Sequence, residues 1–139
     1  MFVSKALALF ALALAANAAA LPQARSEPSY MHGTQKGDAT YYTPGLGACG
    51  QTSTSDDLIV AVSHSLYDTY PGYKGTNPNN NPVCGRKINA HWGGKSVTVK
   101  VVDRCTGCAV TDLDFSPAAF KHLSPLSAGR LHGMTWTWA

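Results

Sequence analysis

The feature that most constrains this chain is its set of four cysteines, Cys49, Cys84, Cys105 and Cys108. An even number of cysteines in a small exported domain reads as two disulfides. Four cysteines allow three pairings, and spacing alone does not choose among them. The rival reading is a four-cysteine zinc site, which needs soft ligands in tight pairs, usually two of them. Only Cys105 and Cys108 form such a pair; Cys49 and Cys84 stand alone. A redox-active Cys-x-x-Cys of the thioredoxin type opens a helix. This one follows a strand-like run and encloses Thr106-Gly107.

The N-terminus supports export. Lys5 is the only charge before Arg25, and residues 6–16 read ALALFALALAA. Small residues follow up to Ala20, then Leu21-Pro22. A basic start, a short apolar core and small residues at the cut site describe a secretory signal peptide over 1–20. The run is short of the roughly 20 apolar residues a membrane span needs. The expectation is a secreted, extracellular, monomeric chain with no membrane attachment after cleavage. The net charge is +3, and its basic residues are scattered. A nucleic-acid binder shows a basic stripe, and none is present, so nucleic acid is excluded as a partner. The five histidines lack metal-ligand spacing. No metal or other cofactor is expected.

Residues 21–36 have no periodicity and read as a flexible segment. The folded domain is expected over 37–139. Strand candidates are Ala39–Tyr42, Leu58–Ser63, Arg86–His91, Ser96–Asp103, Val110–Phe115 and Leu131–Trp138, rich in β-branched and aromatic residues. His64–Tyr70 fits one or two helical turns. Residues 71–82 (PGYKGTNPNNNP) are all turn formers and read as a long loop. Gly93-Gly94 is a hairpin signal. Ser116 is placed to cap a helix over 116–123, with Pro117 at its first position. Many short strands and one clear helix point to a small, mainly β barrel.

Seven elements stand in order: Gly37-x-Ala39-Thr40-Tyr41-Tyr42, Gly47-Ala48-Cys49-Gly50, Val60-Ala61-Val62-Ser63, Cys84-Gly85, Val101-Val102-Asp103-Arg104-Cys105, Gly107-Cys108 and Asp112-Leu113-Asp114-Phe115-Ser116-Pro117. Together they resemble the double-psi β-barrel of expansins, barwin-like proteins and rare lipoprotein A. The nearest likeness is to fungal single-domain, expansin-like proteins of the loosenin type. The resemblance covers residues 37–138 and implies a six-stranded double-psi β-barrel with one or two short helices. It also implies the pairing Cys49–Cys84 and Cys105–Cys108.

Expansins loosen cell walls without hydrolysis. The resemblance implies a polysaccharide groove lined by Thr40, Tyr42, Asp103 and Asp114, with Asp103 and Asp114 in the catalytic positions. Cys105 stands where bacterial expansins carry a tyrosine, and Asp112-Leu113 where plant forms carry His-Phe. Tyr73, Trp92 and Trp136 are further candidates for substrate binding, because aromatic faces suit pyranose rings. The structural alternative for each tryptophan is core packing. For Asp103 it is a turn fixed by Arg104 or a loop N–H; for Asp114 it is support of the helix that follows.

Glycosidic cleavage needs two carboxyl groups about 5–9.5 Å apart. Related endoglucanases on this barrel place an acid on the first strand. Residues 39–43 hold none, and Asp38 is only a weak substitute. The balance leans away from an enzyme. The leading expectation is a non-hydrolytic protein that binds β-glucan or chitin and loosens its packing. The alternatives are a protein-binding effector or cysteine-protease inhibitor using loops 43–57 and 71–82, and an endoglucanase or peptidoglycan lytic enzyme. Fold likeness does not choose among them.

Overall fold

Alternation between apolar and polar residues gives most strands of this chain one buried face. Six strands are enough to close that face into a barrel. The computed structural model describes residues 26–139. The expected leader lies outside them, as does the first part of the segment 21–36. The strands are β1 (Gln35–Tyr41), β2 (Ile59–Ser63), β3 (Lys87–Trp92), β4 (Lys95–Cys105), β5 (Leu113–Phe115) and β6 (Leu131–Trp138). They close in the order β1-β5-β2-β4-β3-β6. With the helices α1 (His64–Thr69) and α2 (Pro117–Lys121), this is the mainly β, six-stranded double-psi barrel that the sequence elements imply.

β1–β5 and β2–β4 pair in parallel, and the remaining neighbours are antiparallel. A parallel pair needs a long crossover. Between β2 and β4 the chain supplies α1, the 71–86 segment and β3. β2 is buried along its whole length, which explains its continuous run Ile59-Val60-Ala61-Val62. β4 alternates at its start and becomes apolar at Val101-Val102 as it enters the core. β3 and β4 are joined by Gly93-Gly94, both at positive φ (56° and 76°), the backbone that a type I′ hairpin requires.

Local chemistry sets the helix starts. Ser63 Oγ accepts from Leu66 N at 3.0 Å, and Ser116 Oγ accepts from Ala119 N at 3.2 Å. Each satisfies an otherwise orphaned first-turn donor.

Two boundaries differ from expectation. Ordered structure begins well before Gly37: Ser29–Met31 form a 3-10 turn, and Tyr30 is buried. The Tyr30 hydroxyl lies 2.8 Å from Thr69 Oγ1, and its carbonyl accepts from Trp138 Nε1 at 2.8 Å. A single aromatic in an aperiodic stretch thus anchors the segment, a signal that periodicity misses. β5 is shorter than the expected Val110–Phe115. Asp112 accepts from Ala109 N at 2.9 Å, so 109–112 turn instead of pairing, and Val110 is left exposed.

Loop 71–82 is present as expected, with a 3-10 turn at Pro78–Asn80. It is pinned from beneath. Buried Asn81 donates to Tyr67 O at 2.7 Å and accepts from Val83 N at 3.0 Å.

Candidate functional site

The site follows from strand register. β1 and β5 run in parallel, and Thr40 pairs with Asp114. Thr40 Oγ1 donates to Asp114 Oδ1 at 2.9 Å. β2 lies between β5 and β4, and its Ala61 pairs with Asp114 on one side and Asp103 on the other. The two aspartates therefore flank one small residue, about 10 Å apart along the sheet, two strand spacings. Tyr42 continues from β1 and is tied to β5 through its N–H, which donates to Phe115 O at 2.9 Å.

These groups influence one another. Burial pushes the Tyr42 hydroxyl far above the ordinary phenol range, and the Asp103 and Asp114 carboxylates add to it. Burial also raises Asp114; the Thr40 hydrogen bond and Arg130 pull it back, and Asp103 pushes it up. The four residues Thr40, Tyr42, Asp103 and Asp114 are brought together, as the resemblance implies. Asp103 has a structural task as well. Its Oδ1 accepts from Ala48 N at 2.9 Å and from Arg104 N at 2.8 Å.

An open cleft runs past Thr40 and Asp114, lined also by Tyr41, Arg104, Arg130 and the 105–108 turn; Tyr42 and Asp103 are not part of its lining. Its two arginines are paired. Arg104 grips Asp68 through two nitrogens at 2.9 and 2.6 Å. Arg130 holds Asp38 at 3.0 Å, with His132 Nδ1 3.1 Å from the other oxygen. Arg130 holds Asp38 below the usual carboxylate range, which suits an ion-pair partner better than a base. Cys105 is joined to Cys108, and Cys49 to Cys84, the pairing that the resemblance implies.

The aromatic candidates fare differently. Trp136 is fully buried, and its ring N–H donates to Thr111 O at 2.9 Å. It is core, not a sugar platform. Trp92 pairs with Lys95 at the start of β4, whereas the cleft lies at Cys105, the end of that strand. Trp92 does not line the cleft, but through His132 it reaches the Asp38–Arg130 pair at the cleft's edge. Its ring N–H is also engaged, by His132 O at 3.1 Å. Tyr73 is half-buried and meets Tyr67 edge-on at 5.7 Å; it lies on the Arg104 side of the site, close enough to bear on that guanidinium. Sequence reasoning missed Tyr41, which lines the cleft, packs tilted against Phe120 at 4.9 Å and donates to Leu126 O at 3.1 Å. It also missed both arginines. Tyr41 alone carried a signal, its place beside Tyr42 in a strand.

Residues 34–134 match the family model described as lytic transglycolase, a double-psi β-barrel. The chain belongs to that family. The papain inhibitor of Streptomyces mobaraensis is 39% identical over 104 residues, covering 72% of this chain and 68% of that protein. The solved Streptomyces papain inhibitor superposes with a TM-score of 0.69 at 36% identity, over 78% of this chain and 96% of that one. An expansin of Clavibacter michiganensis, solved in complex with cellohexaose, gives a TM-score of 0.62 at 27% identity. This chain covers 77% of itself in that match but only 50% of the expansin. The double-psi family member described here thus lies among barwin-like proteins, expansins and the papain inhibitor. The narrower fungal loosenin-type likeness is not reached by these matches. No helix among the described residues is long and apolar enough to cross a membrane.

Proposed function

We propose that this protein is a secreted, protein-binding barrel that inhibits papain-type cysteine proteases, with the loop between β1 and β2 as its contact surface. One observation carries the reading. Leu46, in that loop, is 75% exposed, and the loop around it is heavily braced. A bridge joins Leu46 to Thr52, Ser53 N donates to Gly45 O at 2.9 Å, and Gly47 N donates to Gln51 O at 3.0 Å. Asp103 holds Ala48, and Cys49 is cross-linked to Cys84. Gly47 packs so closely that a Cβ would run into the Val102 carbonyl. A lone exposed leucine is ordinary. One held on a pre-ordered loop loses little entropy on binding and suits a hydrophobic pocket. The likeness in size and sequence to the papain inhibitor supports the same partner.

A second reading is the expansin-like one, binding of β-glucan or chitin in the Asp114 cleft. The meeting of Thr40, Tyr42, Asp103 and Asp114 favours it. Tyr41 is the one aromatic side chain among the cleft's described lining, a smaller stacking platform than an indole, which weighs against it. Hydrolysis is weaker still, because one Asp103 oxygen is already engaged by two backbone donors.

The test is titration of papain with the purified protein, followed by Leu46→Asp. Stoichiometric inhibition, weakened at least about tenfold by the substitution as for an interface anchor, is the expected result. Full papain activity at saturating protein, together with co-sedimentation on cellulose or chitin, would replace the first reading with the second.

A further inference from the structure

We infer that the Cys105–Cys108 turn and Asp114 form a latent metal site, opened when the disulfide is reduced and suited to a Zn²⁺-class cation. The inference rests on the cleft and is independent of the inhibitor reading. One ligand atom from each of Cys105, Cys108 and Asp114 lies within 4.8 Å of the others. Cys-x-x-Cys is a recurrent zinc half-site, and a carboxylate is an accepted third ligand. In the oxidised protein the sulfurs are bonded to each other and are not ligands.

The parts around the cluster fit the assignment. Thr40 Oγ1 occupies Asp114 Oδ1 at 2.9 Å, which orients the carboxylate and leaves Oδ2 for a metal. Such outer-shell partners fix ligand geometry in metal sites. The nearby cations do not stand unpaired against an incoming metal. Arg104 is neutralised by Asp68, and Arg130 by Asp38. The cleft leaves a fourth position open to water. Cys105 is partly exposed whereas Cys108 is 8% exposed, so a reductant reaches the Cys105 side of the bridge first.

The chemistry balances with a dithiol as the reductant. Its thiolate attacks Cys105 Sγ, Cys108 leaves as the thiolate and takes a proton, and the second thiol of the reagent closes its own disulfide, releasing Cys105. Two electrons pass to the protein sulfurs, and two protons with them. The metal then displaces both thiol protons to solvent.

The experiment opens the disulfide of the full mature chain with limiting dithiol, removes the reagent, and maps the opened cysteines by alkylation and mass spectrometry. Co²⁺ is then titrated, its visible bands reporting tetrahedral thiolate coordination, and Zn²⁺ is used to displace it. The expected result is opening of Cys105–Cys108 before Cys49–Cys84, one Co²⁺ bound per reduced chain, and none in the oxidised chain. Asp114→Asn should weaken binding at least about tenfold, and Cys105→Ser with Cys108→Ser should abolish it. An unfolded chain would hold metal through its thiols alone, so equal affinity in Asp114→Asn overturns the site. So does earlier opening of Cys49–Cys84, or the absence of thiolate bands after reduction.

Discussion

The two disulfides of this barrel close loops of very different size. Cys49–Cys84 spans 35 residues and ties the β1–β2 loop to the segment before β3, whereas Cys105–Cys108 spans only 3. Cross-linking stabilises mainly by limiting the unfolded chain, and the effect grows with the logarithm of loop size. On that basis the first bridge contributes about 4 kcal/mol and the second less than about 2 kcal/mol. Their surroundings differ in the same sense. Cys49 and Cys84 pack against the hydrophobic core and sit beside the Tyr67 hydroxyl. The other pair lines a polar cleft next to a half-buried carboxyl. One bridge is placed to hold the fold and the β1–β2 loop. The other adds little to the fold and lines the Asp114 cleft.

Breaking the first bridge is the largest perturbation expected. Cys49→Ala with Cys84→Ala should lower stability by about 4 kcal/mol, read from the urea midpoint, and should release Leu46 enough to weaken papain binding. The same loop has a second restraint in Asp103. Asp103→Ala strands the N–H groups of Ala48 and Arg104 and should cost about 2–3 kcal/mol. It should also loosen the loop, seen as faster exchange of the Ala48 amide. Cys105→Ser with Cys108→Ser comes third, at less than about 2 kcal/mol. Papain binding should be unchanged by it. A loss of stability as large as that of the first pair would erase the distinction between the two bridges.

What was readable in the chain divides along physical lines. The buried run of β2, the glycine hairpin and the Ser116-Pro117 start of α2 are local signals, and each appears within a residue or two of its expected place. Trp136 shows the limit. Spacing puts Met134 and Trp136 on one face of β6, but that face reads equally well as core or as a binding platform. Only barrel closure turns it inward. Tyr41 makes the same point, because it lines the cleft through its tertiary packing on Phe120 and Leu126. The meeting of Asp103 and Asp114 across Ala61 depends on the strand order β4-β2-β5, which no local pattern encodes. The ion pairs Arg104–Asp68 and Arg130–Asp38 are tertiary for the same reason.

The smallest expected effect separates two carboxylates whose surroundings act in opposite ways. Asp114 is raised, chiefly by burial, and Asp38 is lowered, chiefly by its Arg130 hydrogen bond. A raised carboxyl keeps its proton in the folded chain over a range where the unfolded chain has released it. The folded state then binds more protons, so stability falls as pH rises from the ordinary aspartate value through the folded one. Asp114→Asn removes that fall. Its amide oxygen still accepts from Thr40, so the variant should match wild type in acid and be slightly more stable at neutral pH. For Asp38 the sign reverses. Its pairing stabilises above the ordinary aspartate value and is lost as pH drops, so Asp38→Asn should be slightly less stable at neutral pH and equal in acid. Urea midpoints measured from acid to neutrality check both. Differences of the same sign would mean that half-burial of Asp114 and pairing of Asp38 do not act in opposite directions.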